Sequence, residues 1–293
     1  MNILLAVDGS EHTQAAIDLL LSLPLSPQSC ITTLAVANAP KTPQSLILGQ
    51  ALDQTLQKLE VINLNIKREL IYGHPAHEIV HFADENKPDL IIMGAKGLRA
   101  TLGILLGGVV QQVVEHANWP VLVMRAPCKG LRHILMVIDG SPCSQSALEY
   151  LIQFPLPPEA QISLMHVLPP PASEQEIMTA TWAAGVDAIS IRPTIREELE
   201  RVQKEEEQRS EILLNQALAK CKEHTQNVSS VIRRGDAATE ILAYVKENPV
   251  DLIVAGSRGL SAISGWLLGS VSRKIVHYAG CSALIVKGEH CIT

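Results

Sequence analysis

The chain has 293 residues, enough for two medium-sized domains that each bury a core of their own. Hydrophobic residues make up 47% of the sequence and charged residues 18%, which is typical of compact globular proteins and excludes a disordered chain. The formal net charge of −6 argues against nucleic acid as a partner, because binding phosphate backbones requires clustered Lys and Arg. Uncharged stretches are too short to cross a bilayer, so we expect no membrane partner and a cytoplasmic protein.

Six cysteines are spread along the chain without a C-x-x-C pair or a spacing typical of zinc sites. This distribution predicts reduced thiols, as expected in the cytoplasm. The cysteines are Cys30, Cys128, Cys143, Cys221, Cys281 and Cys291.

The start of the chain returns later in the sequence. Residues 2–10 read NILLAVDGS and residues 133–141 read HILMVIDGS, so that Asp139 corresponds to Asp8. Further along, DLIIMG ending at Gly94 returns as DLIVAG ending at Gly256. A repeat of domain length indicates that a whole unit was duplicated.

The repeat predicts two domains, at 1–126 and 131–293, joined by a short linker rich in Pro and Gly. Within each copy, runs of Ile, Leu and Val alternate with helical patterns, which predicts a parallel sheet. We therefore expect two tandem Rossmann-like α/β domains, each with a five-stranded parallel sheet and helices on both faces. In the first copy we predict strands at 3–7, 31–36, 90–93 and 121–124, and helices at 11–22, 44–60, 75–86 and 108–117.

The second copy is longer than the first because it carries an insertion, between about 172 and 230. Apolar residues recur at helical spacing among Glu, Lys and Arg, which predicts a solvated amphipathic helix packed on its own domain. The alternative is an element that docks a protein partner. The apolar positions are Ile195, Leu199, Val202, Ile212, Leu213 and Leu218.

A glycine-rich pattern follows a predicted strand of the second copy. Gly256-Ser-Arg-Gly259 ends the strand, and Gly269-Ser270-Val271-Ser272 opens a helix a short distance later. Glycines let backbone amides approach a phosphate, and a helix N-terminus adds unpaired N–H groups and a favourable dipole. The pattern predicts an anion site with hydroxyl donors from Ser270 and Ser272. The alternative is that these glycines only form turns.

The first strand I-L-x-x-x-D-G-S and the G-x2-G-x9-G-[ST] pattern together resemble the universal stress protein family, over nearly the full length of both copies. The resemblance implies an adenine nucleotide alpha hydrolase-like fold and ATP, with or without Mg²⁺, bound at the carboxyl ends of the strands. It places Asp139 near adenosine and Val167 against adenine. The implied nucleotide-binding residues are Asp139, Val167, Ala255, Gly256, Arg258, Gly259, Gly269, Ser270, Val271 and Ser272.

The first copy keeps only part of this pattern. Gly108 and Val110 stand where the second copy has Ser270 and Ser272, and each lost hydroxyl donor costs about 1 kcal/mol. We therefore predict weak or absent ATP binding there. Asp8 is equally compatible with a turn or capping role and with ligand contact. The weaker site comprises Asp8, Val36, Gly94, Lys96, Gly97 and Gly107.

The predicted function is a stress-response regulator that binds ATP in its second domain with little turnover, because the sequence contains no P-loop and no positioned base. One alternative is a nucleotide-independent interaction protein whose inserted region binds an unknown protein partner or forms a homodimer. Another is a slow ATP hydrolase. The resemblance also implies that the last strands, Val121–Met124 and Ala283–Val286, pair the two copies.

A metal site is the remaining candidate. His74, His77 and His81 follow at helical spacings of three and four, so a zinc site is conceivable. The equivalent positions of the second copy are Asp236, Thr239 and Ala243, and no carboxylate or cysteine completes the set. We therefore predict no metal site.

Overall fold

The computed structural model describes residues 1–97, 106–171, 188–260 and 268–287. The strands are β1 Asn2–Ala6, β2 Cys30–Ala37, β3 Asn65–Tyr72, β4 Leu90–Gly94, β5 Val121–Met124, β6 His133–Val137, β7 Gln161–Leu168, β8 Val228–Arg234, β9 Leu252–Gly256 and β10 Ser282–Val286. The helices are α1 Glu11–Ser22, α2 Pro43–Leu59, α3 Pro75–Asn86, α4 Gly108–His116, α5 Pro142–Gln153, α6 Ala188–Lys222, α7 Ala237–Glu247 and α8 Ser270–Tyr278. A short 3-10 helix, Glu60–Ile62, follows α2.

The strands within these ranges form one continuous ten-stranded sheet in the order β3-β2-β1-β4-β5-β10-β9-β6-β7-β8. Each half contributes five parallel strands in the same relative order, which confirms the predicted Rossmann-like α/β halves. The halves meet where β5 and β10 run antiparallel, with Leu122 opposite Leu284. This pairing is the one predicted for the last strand of each copy, and it covers two sheet edges.

Helices cover both faces of the sheet, because each helix presents one apolar stripe and the central strands are apolar on both sides. Ile17 of α1 and Leu52 of α2 pack on one face, together with Leu148 of α5 and Leu214 of α6. The opposite face holds α3, α4, α7 and α8. Both layers of core contain residues from the two halves.

The outermost strand of the first half, β3, was missing from the strand-by-strand prediction, and β8 is its counterpart in the second half. β3 reads NIKRELIY and β8 reads VSSVIRR, and neither has a continuous apolar run. An edge strand pairs on one side only and has polar, partly exposed side chains, so its apolar signal is weak.

Helix α6 occupies the place in the second half that α2 occupies in the first. In the register that matches Gly94 with Gly256, Leu52 and Leu59 of α2 correspond to Leu214 and Cys221, which are buried in the same core layer. The predicted packing of the amphipathic helix on its own domain is therefore confirmed for this part of α6. The buried stripe differs from the predicted one, since Ile212 is 58% exposed. Residues 172–187 of the predicted insertion lie outside the described residues.

The thiols agree with the sequence prediction in part. Cys30, Cys128, Cys221 and Cys281 are free. Cys143, at the start of α5, is disulfide-bonded, so the prediction of reduced thiols is wrong for this residue. Cys291 lies outside the described residues.

Across the part of the chain that the structure describes, no helix is both long enough and apolar enough to cross a membrane.

Candidate functional site

The D-G-S segment after the first strand of each half forms a tight turn into the next helix. Gly140 has a φ of 80°, a left-handed conformation that favours glycine. The Asp139 Oδ1 atom accepts a hydrogen bond from the Ser141 amide at 2.9 Å, and the Ser141 hydroxyl oxygen caps α5 by accepting from the Ser144 amide at 3.2 Å. One oxygen of Asp139 is therefore held by the turn, which orients the other.

That second oxygen lies against the glycine loop that follows β9. A Cβ atom at Gly259 would stand 2.6 Å from Asp139 Oδ2, so only a hydrogen atom fits between the loop and the carboxylate. The Ser141 hydroxyl also donates to the carbonyl oxygen of Arg258 at 3.3 Å. The D-G-S turn and the glycine loop thus form one packed unit, although Asp139 and Gly259 are far apart in the sequence.

Helix α8 begins at the end of this loop without a side-chain cap. By contrast, α1, α2, α5 and α7 are capped by Ser10, Thr42, Ser141 and Asp236. The first amides of an α-helix have no intrahelical acceptor, so this uncapped N-terminus offers donors to an anion. Ser270 at its first position is exposed.

The two serines of this helix have different surroundings. The buried Ser272 hydroxyl donates to the Gly256 carbonyl oxygen at 2.7 Å and so ties α8 to the end of β9. The Ser272 hydroxyl therefore already donates its hydrogen bond within the protein, whereas Ser270 is exposed at the start of the helix. The sequence predicted equivalent roles for the two serines, whereas the structure shows that their surroundings differ in these two respects.

All ten residues predicted for the second-copy site line one cavity of about 490 Å³. This volume lies within the usual range for small-molecule sites, and the walls are mainly apolar with a few polar groups, as such sites require. Sequence reasoning missed other lining residues, which come from the carboxyl end of β6, from α5, from the first half of α7 and from the glycine loop. These are Val137, Ile138, Ser144, Ala237, Ile241, Leu260 and Leu268.

The missed residues follow a rule that could have identified some of them. Residues just beyond the carboxyl end of a parallel strand face the crevice above the sheet, and Ile138 follows β6 directly. Ala237 and Ile241 are separated by about one helical turn, so they share one face of α7.

Arg258 is the cation that lines this cavity. Within the described ranges, its buried Nε atom has no hydrogen-bond acceptor. Lys287 lies close by, and burial together with the positive charge of Arg258 lowers the pKa of Lys287 to about 8. A buried guanidinium N–H without a partner is costly, so the cavity is suited to an anionic group near Arg258.

The first half has an equivalent cavity of about 600 Å³. Five of the six predicted residues line it, namely Asp8, Val36, Gly94, Gly97 and Gly107. Lys96 is not among the lining residues, whereas its counterpart Arg258 lines the second cavity. Burial lowers the pKa of His12, and the charge of Lys96 adds to that lowering, which places the lysine charge near His12.

The Asp8 carboxylate accepts more hydrogen bonds within the protein than the Asp139 carboxylate does. Its Oδ1 atom accepts from the Ser10 amide at 3.0 Å and from the Thr13 hydroxyl at 2.6 Å. Its Oδ2 atom faces Gly97, where a Cβ would stand 2.8 Å away. The turn role of Asp8 is therefore present, and one oxygen still faces the glycine loop.

Two of the histidines considered for zinc, His77 and His81, interact with neighbouring residues of α3. The rings of His77 and His81 are stacked with centroids 6.1 Å apart, and their ring nitrogens lie near Glu78 and Glu85. Over the described ranges, no group of three His, Cys, Asp or Glu side chains is arranged to hold a metal ion.

Comparison with known proteins supports the internal repeat found in the sequence. The sequence model of the universal stress protein family matches residues 1–125 and again residues 130–287. Universal stress protein YxiE of Bacillus subtilis is 29% identical over 154 residues, covering 53% of this chain and 97% of that protein. A universal stress protein of Mycobacterium bovis is 25% identical over 231 residues, covering 76% of this chain and 70% of that protein.

Solved structures share the fold over the whole chain. A universal stress protein of Archaeoglobus fulgidus aligns over 98% of this chain and 96% of its own, with 19% identity and a TM-score of 0.61. A protein of unknown function from Pseudomonas aeruginosa aligns over 99% and 94%, with 14% identity and a TM-score of 0.66. Because the family match occurs twice in succession, the chain belongs to the universal stress protein family and carries two family domains in tandem.

Proposed function

We propose that the second domain binds ATP and that the protein acts as a nucleotide-responsive regulator in the cytoplasm. The observation that carries this proposal is the convergence of the ten predicted residues on one cavity. These residues come from the ends of β6, β7 and β9, from the glycine loop and from α8, which are far apart in sequence. We also propose that the first domain ends at residue 126 and that the second begins at residue 131.

The cavity lining supplies two chemically different sets of groups that match the two parts of ATP. Val167, Ile138 and Ile241 supply apolar surface for a base, and Asp139 Oδ2 is available to accept from a ribose hydroxyl. Arg258, the Ser270 hydroxyl and the first amides of α8 supply donors for phosphate oxygens. Mg²⁺, where present, would be held mainly by the phosphates.

Little turnover is expected from this arrangement. Of the described residues that line the second cavity, Asp139 is the carboxylate, and one of its oxygens accepts from Ser141. We assign this carboxylate to the ribose, so no lining carboxylate among the described residues is assigned to activate a water at the terminal phosphate. Binding can therefore act by favouring one conformation or assembly over another.

Retained nucleotide is the direct test of the proposed function. Mass spectrometry of the natively purified protein is expected to detect adenine nucleotide, and calorimetry of the stripped protein is expected to detect ATP binding. An empty protein that also gives no heat with ATP would contradict the proposal. If incubation with ATP instead produces ADP in excess of the protein, the slow hydrolase is favoured.

Exchanging one residue between the two halves tests the asymmetry of the domains. Ser270→Gly copies the first half and removes one donor, so ATP affinity should fall about five- to tenfold, or ~1–1.4 kcal/mol. Gly108→Ser copies the second half, and a Cβ there meets no atom within 4 Å. We expect this variant to bind more than one ATP per chain at high ATP concentration, measured by equilibrium dialysis.

Both residues of this exchange are exposed, so neither change disturbs the core. Ser272→Val serves as a comparison, since its hydroxyl already donates to Gly256. Unchanged ATP affinity in Ser270→Gly would contradict the assignment of the phosphate donor to Ser270.

A further inference from the structure

In each half, a basic residue directly after the last strand reaches the last helix of the other half. Arg125 follows β5, and its Nη2 atom donates to the carbonyl oxygens of Val276 at 2.9 Å and His277 at 3.3 Å. Lys287 follows β10, and its Nζ atom donates to the Glu115 carbonyl oxygen at 2.9 Å. In the register of the repeat, Lys287 corresponds to Arg125 and His277 to Glu115.

This reciprocal arrangement has a physical basis in the helix ends. The last carbonyl groups of an α-helix have no intrahelical donor and carry the negative end of the helix dipole, so a cation there is stabilising. The antiparallel contact of β5 with β10 brings each basic residue to the other half's helix. Each domain therefore supplies the C-terminal cap of its neighbour's last helix.

The two caps differ in strength, and the difference follows the proposed function of the two helices. Arg125 holds two carbonyl groups, whereas Lys287 holds one. The arginine caps α8, whose N-terminus carries Ser270, and the lysine caps α4, whose equivalent position is Gly108. The helix that offers the extra phosphate donor is thus the one held by the stronger cap.

We propose that Arg125 is a positioning residue of the second-domain nucleotide site, so that the first domain contributes to phosphate binding in the second. This inference rests on the proposed ATP site. Helix α8 is short, only about 13 Å long at the usual rise per residue. A cap that fixes its C-terminal end also fixes the direction in which its first amides and Ser270 point.

A second set of contacts at the same junction joins the first domain to the start of α8 and to Lys287, which lies near the cavity residue Arg258. The carboxylate of Glu115 on α4 lies 3.6 Å from the Arg273 guanidinium in the first turns of α8. Lys287, bonded to the backbone of Glu115, lies near the cavity residue Arg258, whose charge lowers its pKa. Both ends of α8 therefore contact groups that depend on the position of the first domain.

The test compares ATP with adenosine in the full chain. Arg125→Met keeps the apolar stem and removes the donors, so we expect ATP affinity to fall about three- to tenfold while adenosine affinity changes less than about twofold. Arg125→Lys retains the charge and should give a smaller loss. Arg68→Met is the matched control, because Arg68 lies on β3 and pairs with Asp53 far from the junction.

Affinities are measured by calorimetry for ATP and by displacement of bound ATP for adenosine. Unchanged ATP affinity in Arg125→Met would overturn the inference, and so would an equal loss for ATP and adenosine, which indicates general loosening of the domain. If Arg125→Met does not fold, Arg125→Lys and Arg125→Gln test the inference in its place. Both must then lower the affinity for ATP more than the affinity for adenosine. Wild-type protein without ATP binding would overturn the proposed function itself, and this inference with it.

Discussion

Gly259→Ala is expected to lower ATP affinity at least about tenfold, while the equivalent Gly97→Ala leaves it unchanged. The added methyl at Gly259 would stand 2.6 Å from Asp139 Oδ2, closer than nonbonded contact allows, so the carboxylate must turn away from the cavity. The loss of a charged hydrogen bond to the ribose accounts for an effect of about 1.5–3 kcal/mol.

Gly97→Ala is a close control because it makes the same steric conflict in the first half, where a Cβ would stand 2.8 Å from Asp8 Oδ2. Calorimetric titration of both variants with ATP separates the two sites. An affinity loss in Gly97→Ala as large as in Gly259→Ala would contradict the assignment of ATP to the second domain.

Leu284→Ala is expected to lower the free energy of unfolding by about 2–5 kcal/mol. Leu284 is fully buried, lies opposite Leu122 at the antiparallel junction, and belongs to a core layer that contains residues of both halves. Because that layer is continuous, we also expect the wild-type chain to unfold in one transition rather than domain by domain.

Denaturant unfolding, followed by circular dichroism, measures the free energy of unfolding. Thermal unfolding in a calorimeter shows the number of transitions. Leu46→Ala is the matched control, since Leu46 on α2 is 67% exposed and should cost less than about 0.5 kcal/mol. Two separate transitions in the wild-type chain, or equal losses in the two variants, would contradict the continuous core.

The central part of the fold was accessible from the sequence because its strands are apolar on both faces. The predicted strand at 121–124 matches β5 in both bounds, and the predicted helices at 11–22 and 75–86 match α1 and α3. The polar edge strands β3 and β8 could not be found in this way. The relation of α6 to α2 was also hidden, because the equivalence of Leu52 and Leu214 becomes clear only once both are seen in the same core layer.

The residues that the sequence predicted for the candidate site line one cavity, but the hydrogen bonds that some of them make were not predicted. Spacing identified the glycines, because a loop that approaches a carboxylate as closely as Gly259 approaches Asp139 leaves a sequence signature. Spacing could not tell that the Ser272 hydroxyl serves Gly256, or that Lys96 lies near His12 rather than along the first cavity. Hydrogen-bond partners depend on side-chain packing that a motif does not encode.

The central claim is that this tandem chain has one functional ATP site, in its second domain. Native mass spectrometry of the full chain across an ATP titration tests it most directly. The expected result is a single ATP adduct per chain at moderate ATP concentration, strongly reduced in Gly259→Ala and retained in Gly97→Ala. Two adducts of equal affinity, or a single adduct that survives in Gly259→Ala and disappears in Gly97→Ala, would contradict it.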